Sequence, residues 1–159
     1  MNKFYVIANS QKDMDFAMAD KISEYIIAKG GTCVCQKRDI GKEGIKYNSA
    51  DASLIPEGTE CVIVLGGDGT LIQAARDLSS INVPVFGINI GTLGYLTEID
   101  MEQAFPAIDR IMADEYNIDT RMILRGRVYR GDDKLYSDIA LNDIVINRMG
   151  SLKIINFDI

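Results

Sequence analysis

The sequence contains no histidine and only three cysteines among its 159 residues. Without histidine, Ser-His and Cys-His nucleophilic machinery is excluded, and a general base must be a carboxylate or a lysine. The cysteines are odd in number and lack a Cys-x-x-Cys spacing, which argues against a zinc site or a disulfide framework. We expect all three to be small buried hydrophobic residues: Cys33, Cys35 and Cys61.

Long apolar runs and an excess of basic residues are also missing. No run approaches the roughly 20 apolar residues that cross a bilayer, and the N-terminus lacks the apolar core of a signal peptide. The formal net charge is −6, whereas general nucleic-acid binders cluster Lys and Arg. We therefore expect a cytoplasmic protein with neither a nucleic-acid nor a membrane partner. A phosphorylated ligand would have to be held by local features.

The first three-quarters of the chain alternates short apolar runs with helical patterns. Strands are predicted at Phe4–Ala8, Thr32–Gln36, Cys61–Leu65 and Val83–Ile88. Helices are predicted from Phe16 to the Gly30-Gly31 pair, from Thr70 onward, and from the capping pattern at Asp100 to about Met112. Gly41 to Gly58 is predicted to be a loop. This order predicts an α/β fold with an open, mostly parallel sheet flanked by helices.

The pattern changes near Asn117. Successive strands with short turns and no intervening helix are predicted at Met122–Tyr129, Lys134–Ala140, Leu141–Asn147 and Leu152–Ile159. We therefore divide the chain into an α/β nucleotide-binding domain, 1–118, and the beginning of an incomplete antiparallel β-rich second domain, 119–159. Its unfinished sheet would leave an open edge and exposed apolar surface, which predicts self-association into a homo-oligomer.

The strand Cys61–Leu65 leads directly into Gly66-Gly67-Asp68-Gly69-Thr70, called here the first glycine turn. In an open parallel sheet, ligands lie beyond the carboxyl ends of the strands, and the start of a helix favours phosphate there. A carboxylate beside phosphate is repulsive unless it coordinates Mg²⁺ or takes a proton from an attacking hydroxyl. Both roles belong to phosphoryl transfer. A plain tight turn, with Asp68 as its cap, is the structural alternative.

Two further segments are candidates. Gly91-Thr92-Leu93-Gly94, called the second glycine turn, precedes Tyr95. It is either a ligand contact or a turn followed by a core aromatic residue. Asn142 and Asp143 lie beside an apolar run and are suited to bind a ribose or an amide, or else to end a strand.

Taken together, three segments resemble the NAD kinase family: Leu65–Leu71, Gly87–Glu98 and Leu141–Ile146. Diacylglycerol kinase-like lipid kinases and phosphofructokinases carry an element similar to the first glycine turn. A lipid kinase would be expected to show a Gly-Thr-Gly-Asn-Asp type of turn in the second segment, where this chain has Gly-Thr-Leu-Gly-Tyr. The resemblance implies transfer of a phosphoryl group from ATP, or polyphosphate in some members, to the 2′-hydroxyl of the NAD adenosine ribose. It also implies Mg²⁺ or a similar divalent metal.

The same resemblance assigns roles to individual residues. Asp68 would accept the proton of the 2′-hydroxyl, Tyr95 would lie near the dinucleotide, and Lys153 aligns with a basic or histidine contact. The remaining positions either shape the site or hold the dinucleotide: Gly67, Gly69 and Thr70, and Asn142 with Asp143. The family usually has Asn-Glu at the last pair, so Asp143 is one methylene shorter.

The family's Gly-Ser-Thr-Ala-Tyr-like segment, which completes its NAD pocket, does not occur in this sequence. We therefore expect an N-terminal portion of a NAD kinase that phosphorylates NAD poorly or not at all by itself. A lipid kinase-like enzyme and a non-catalytic nucleotide-binding module are the alternatives.

Overall fold

The computed structural model of the chain describes residues 1–9, 11–36, 52–91, 94–97 and 99–145. Their contacts divide the chain into two compact units, Met1–Thr120 and Arg121–Ile159. None of the helices in the described ranges is long and apolar enough to cross a membrane.

The first unit contains a four-stranded parallel sheet with the spatial order β2-β1-β3-β4. Its elements are β1 (Lys3–Ala8), α1 (Ala17–Ala28), β2 (Thr32–Gln36), β3 (Cys61–Gly66), α2 (Asp68–Asp77), β4 (Val85–Asn89) and α3 (Ala104–Met112). Every residue of β3 is buried, which explains its unbroken apolar sequence. The prediction of a mostly parallel α/β sheet flanked by helices is confirmed.

The helices cover opposite faces of this sheet. Residues of α1 and α3 pack with one set of strand side chains, in a core that includes Ile22, Ile108 and Ile63. Residues of α2 pack on the other face, where Ala74 contacts a cluster containing Val64. Because α1 follows β1 and α2 follows β3, the chain leaves these two neighbouring strands toward opposite faces. This is the topological switch point at which open α/β sheets bind ligands.

Two predicted helix starts differ from the structure. Helix α2 begins at Asp68 rather than Thr70, with Gly67 as its N-cap, so the first glycine turn already contains the first helical turn. Helix α3 begins at Ala104, and the predicted cap at Asp100 closes the turn before it by accepting a hydrogen bond from Gln103 N at 3.0 Å. Pro106 lies in the first turn of α3, where the missing N–H costs no intrahelical hydrogen bond.

The cysteines lie in the sheet of the first unit. Cys61 is buried, and Cys33 and Cys35 are half-buried. Burial raises the pKa of the Cys61 thiol to about 12. The pKa of the Cys33 thiol is also raised. The largest cause is a hydrogen bond with Cys35, and the next is burial.

The second unit contains an antiparallel hairpin of β5 (Leu124–Arg130) and β6 (Asp133–Ala140). Much of its apolar surface is exposed, including Val128 and Tyr136 at 52% and 59%. The predicted strand at 141–147 is wrong over 141–145, which form no strand. The predicted strand at 152–159 lies outside the described residues, as does most of the predicted loop at 41–58. That this unit begins a larger β-rich domain stays a prediction.

Candidate active site

The carboxyl ends of β1, β3 and β4 meet at one rim of the parallel sheet. Ala8 pairs with Leu65, and Gly66 pairs with Asn89, so the loops that follow these strands emerge side by side. Hydrogen bonds join them: Asn9 N donates to Leu65 O at 2.9 Å, and Ile90 N donates to Gly66 O at 2.7 Å. The two glycine turns therefore begin at the same edge of the sheet, as predicted from the strand order.

Glycine is required at the start of the first glycine turn for a packing reason. A Cβ on Gly66 would overlap the side chain of Thr70, which folds back over the end of β3. The Thr70 hydroxyl accepts a hydrogen bond from Asn9 Nδ2 at 3.1 Å. Thr70 thereby connects the turn after β3 to the turn after β1. Gly69, in contrast, is exposed, and nothing within 4 Å would meet a Cβ there.

Asp68 is held by the loop 94–97, which begins at the last residue of the second glycine turn. Its Oδ2 accepts a hydrogen bond from Tyr95 N at 2.7 Å. Its Oδ1 accepts hydrogen bonds at 3.1 Å from Leu96 N, from Thr97 N and from the Thr97 hydroxyl. A Cβ on Gly94 would overlap the carboxylate, so glycine permits this close approach.

These hydrogen bonds determine the charge state of the carboxylate. The bond from the Tyr95 backbone N–H is the largest influence that lowers the pKa of Asp68, with further contributions from Leu96 and Thr97. Asp68 also lies in the first turn of α2, where the helix dipole favours a negative charge. Asp68 is therefore ionised at neutral pH and can accept hydrogen bonds.

A buried hydrogen bond supports the loop 94–97. The Thr97 hydroxyl, which donates to Asp68, accepts a hydrogen bond from Asn89 Nδ2 at 3.0 Å. Asn89 and Thr97 are 2% and 1% exposed. The chain Asn89–Thr97–Asp68 thus ties the carboxylate to the end of β4. Sequence reasoning missed both residues, although a polar pair beside a buried strand end was a usable signal.

A cation that the sequence reasoning also missed lies at the same rim. Lys12 belongs to the turn between β1 and α1, and its Nζ lies 2.8 Å from the position of a Cβ on Gly67. The same atom is 3.8 Å from the position of a Cβ on Gly91. The sequence signal was weak, since a lysine in a polar turn is ordinary.

The remaining predicted residues are placed as follows. Gly67, Gly69 and Thr70 surround Asp68 in the first glycine turn, and Tyr95 is 97% exposed beside it. The alternative that Tyr95 is a core aromatic residue is therefore wrong. Asn142 and Asp143 belong to the second unit and are exposed. Lys153 lies outside the described residues, so the contacts predicted for these three residues stay predictions.

The acidic side chains at the rim offer little for direct metal coordination. Among the described residues, no group of three or more His, Cys, Asp or Glu side chains is close enough to hold a metal ion. Both oxygens of Asp68 already accept hydrogen bonds from the loop. Mg²⁺ commonly keeps several waters and is bound through substrate phosphates. The described residues of this rim thus form no preformed cage for a metal ion.

Comparison with known proteins identifies a family to which the chain is similar. Residues 4–116 match the family model described as ATP-NAD kinase N-terminal domain. The chain is 49% identical to the NAD kinase of Lachnospira eligens and 45% identical to that of Agathobacter rectalis, over 100% of its own length in both comparisons. It covers 54% of each of these relatives. The chain thus spans about half the length of the curated relatives that it matches.

Solved structures show the same fold. Yeast NADH kinase complexed with NADH superimposes with a TM-score of 0.64 and 16% identity, covering 89% of this chain and 47% of that chain. A NAD kinase from Archaeoglobus fulgidus in complex with ATP gives a TM-score of 0.52 and 19% identity, covering 79% and 40%. At these identities the likeness concerns the fold alone.

Proposed function

The chain belongs to the NAD kinase family, and we propose that the rim around Asp68 is the phosphoryl-transfer part of a NAD kinase site. ATP, or polyphosphate, is the donor, and the 2′-hydroxyl of the NAD adenosine ribose is the acceptor. The new bond joins the 2′-oxygen to the terminal phosphorus, while the bond from that phosphorus to its bridging oxygen breaks. The observation that carries this proposal is the ionised Asp68 carboxylate, fixed at the start of α2 by the loop 94–97.

The two carboxylate oxygens are not equivalent for this chemistry. A carboxylate offers about four acceptor positions, two on each oxygen. Oδ1 accepts three hydrogen bonds from the loop, whereas Oδ2 accepts one, from Tyr95 N. Oδ2 is therefore the oxygen that accepts the hydrogen bond of the acceptor hydroxyl and then its proton. Because catalysis of phosphoryl transfer is mostly positioning and charge stabilisation, a carboxylate of low basicity is adequate.

The other residues of the rim bind and orient the donor phosphates and the dinucleotide. Gly67 and Gly69 let the backbone approach the donor phosphates, and the free N–H groups at the start of α2 face them. Exposed Tyr95 offers a ring face to the dinucleotide. That Asn142 and Asp143 of the second unit hold the ribose or an amide of the dinucleotide stays a prediction from the sequence. A divalent metal bound to the phosphates would offset their negative charge beside Asp68.

A second candidate is nucleotide binding without turnover by these 159 residues alone. Both Asp68 oxygens are engaged by the loop, and the chain covers only 54% of its curated relatives. On this candidate the chain binds ATP and NAD, but it does not complete the acceptor pocket. We propose that its NADP formation is weak or absent.

Calorimetric titration with ATP and with NAD, followed by a coupled assay for NADP at high protein concentration, tests both candidates. We expect measurable ATP binding and at most trace NADP. Robust NADP formation would contradict the binding-only candidate, and failure to bind either nucleotide would contradict both. In Asp68→Asn we expect nucleotide binding to persist and any trace of turnover to disappear. Asp15→Asn, an exposed position with a φ of 56°, controls for the loss of one charge.

A further inference from the structure

Lys12 occupies the switch point between the two glycine turns. It follows β1, whereas the first glycine turn follows the neighbouring strand β3, and the two loops leave toward opposite faces of the sheet. The Lys12 ammonium lies 2.8 Å from the position that a Cβ on Gly67 would take and 3.8 Å from the corresponding position on Gly91. Since neither glycine has a side chain, the ammonium lies close to the backbone of both Gly67 and Gly91.

The backbone beneath Lys12 is fixed at both ends of its turn. Lys12 N donates a hydrogen bond to Asn9 O at 2.9 Å. Asn9 in turn donates hydrogen bonds from its N to Leu65 O and from its Nδ2 to the Thr70 hydroxyl. On the other side, the Asp13 carboxylate accepts hydrogen bonds at 2.9 Å from Met18 N and Ala19 N at the start of α1. The turn therefore fixes the backbone from which the Lys12 side chain extends beside the first glycine turn.

The charge of Lys12 is opposite to that of the chain as a whole. The net charge is −6, so the overall field repels a polyphosphate, and a local cation has to offset it. Within the described parts of the chain, Lys12 is in no salt bridge and its side chain is exposed, so a ligand can reach its ammonium group. A lysine ammonium binds phosphate as a point charge and needs no fixed angle.

We propose that Lys12 binds the phosphate oxygens of the nucleotide at the switch point, between the backbone of Gly67 and that of Gly91. This inference rests on the proposed function and adds a residue from the turn between β1 and α1 to that site. Lys12 is a binding residue in this role, because it neutralises charge and leaves the proton of the acceptor hydroxyl to Asp68. The phosphate chain belongs either to the ATP donor or to the pyrophosphate of the dinucleotide, and the experiment separates these sources.

The test is calorimetric titration of the whole 159-residue chain with ATP, NAD and inorganic tripolyphosphate, at low and high salt. The variants are Lys12→Ala, Lys12→Arg and Lys21→Ala. Lys21 is an exposed lysine of α1 that serves as the matched control for one lost positive charge. Thermal unfolding of each variant checks that the fold is retained.

We expect Lys12→Ala to weaken tripolyphosphate binding about tenfold and to reduce its dependence on salt. Lys12→Arg should restore most of the affinity, and Lys21→Ala should bind like the unchanged chain. A loss confined to ATP and tripolyphosphate identifies the donor, whereas a loss that includes NAD identifies the dinucleotide pyrophosphate.

Three results would overturn the proposal. Unchanged phosphate binding in Lys12→Ala would remove Lys12 from the site, while ATP binding by the unchanged chain would leave the proposed function standing. Equal weakening in Lys12→Ala and Lys21→Ala would show a non-specific effect of charge. If the unchanged chain binds none of the three ligands, both this proposal and the proposed function fail.

Discussion

The Asp68 carboxylate and Thr97 are joined twice, because Oδ1 accepts hydrogen bonds at 3.1 Å from both the backbone N–H and the hydroxyl of Thr97. The first residue opens a helix after β3, and the second lies in the loop after β4. This double contact ties the proposed reacting group to the loop 94–97.

The Thr97 hydroxyl can be removed with little change of shape by Thr97→Val. We expect this variant to lose about 1–3 kcal/mol of unfolding free energy, because Asn89 Nδ2 loses its buried acceptor and Asp68 loses a donor. Thr97→Ser keeps the hydroxyl and should lose less. Urea denaturation measures the difference, and equal stability of the two variants would contradict the role given to this hydroxyl.

The stability of the fold should depend on Asp68 at acid pH. Its folded-state pKa lies below the ordinary value of 3.8, because the Tyr95, Leu96 and Thr97 groups donate hydrogen bonds to the ionised form. Such a group stabilises the fold above pH 3.8, and its contribution is lost as the pH falls through the folded-state pKa.

The comparison is between the melting temperatures of the unchanged chain and Asp68→Asn from pH 7 to pH 3. The unchanged chain should be the more stable at pH 7, and the gap should narrow below pH 3.8. Glu60 and Asp109, whose pKa values are also lowered, are present in both proteins and cancel in the difference. A gap that stays constant over this range would argue against the hydrogen bonds to Asp68.

Two glycines of the rim should respond oppositely to alanine. In Gly94→Ala the new Cβ overlaps the Asp68 carboxylate, so we expect a loss of about 1–3 kcal/mol and a displaced loop. In Gly69→Ala the Cβ meets nothing within 4 Å, and a helical glycine is replaced, so stability should rise by up to about 1 kcal/mol.

Binding separates the two variants further. Gly69→Ala should bind ATP more weakly despite its higher stability, because the added methyl stands on the exposed surface that the proposed function assigns to phosphate. Calorimetry and urea denaturation on the same samples check both statements. ATP affinity that rises together with stability would exclude Gly69 from the binding surface.

The thiol of Cys61 should be unreactive in the folded chain. Its pKa is raised to about 12 by burial, and the thiolate is the reactive form. We expect alkylation by iodoacetamide at pH 8 to be at least ~100-fold slower in the folded protein than in guanidinium chloride. Mass spectrometry of peptides resolves the three cysteines, and rapid labelling of Cys61 under native conditions would disprove its burial.

Self-association stays a prediction. The hairpin of the second unit supplies a specific surface for it. Its exposed apolar side chains, such as Val128 and Tyr136, favour contact with another apolar surface. We expect gel filtration to show a larger apparent mass at higher protein concentration. Val128→Lys should shift the profile toward the monomer, and a clean monomer of the unchanged chain at high concentration would refute the prediction.

The strands of the first unit were predictable because their apolar runs are short, bounded by glycine or polar turns, and fully buried in the structure. The start of α2 was misplaced because glycine is a poor helix former, whereas Gly69 stands in the first helical turn, where the N–H groups need no intrahelical partner. The strand predicted at 141–147 failed over its first part because apolar spacing alone supplies no neighbouring strand to pair with.

The position of Asp68 at the rim followed from the sequence, but its partners did not. Three of its four hydrogen-bond donors are backbone N–H groups 27 to 29 residues further along the chain, and a backbone N–H has no sequence signature. Lys12 was missed for a related reason, since its significance lies only in its distance from two glycines that belong to other loops.

The surface presented by Gly67, Gly69 and Gly91 is made of main-chain atoms, which every amino acid carries. Directed evolution of this site would therefore gain little from substitutions at these three glycines, because any side chain added there takes up space that a ligand needs. New preferences between related nucleotides would have to come from the bordering side chains, such as Tyr95, which is 97% exposed. Libraries that target this border and leave the glycines untouched should yield the larger share of folded, altered binders.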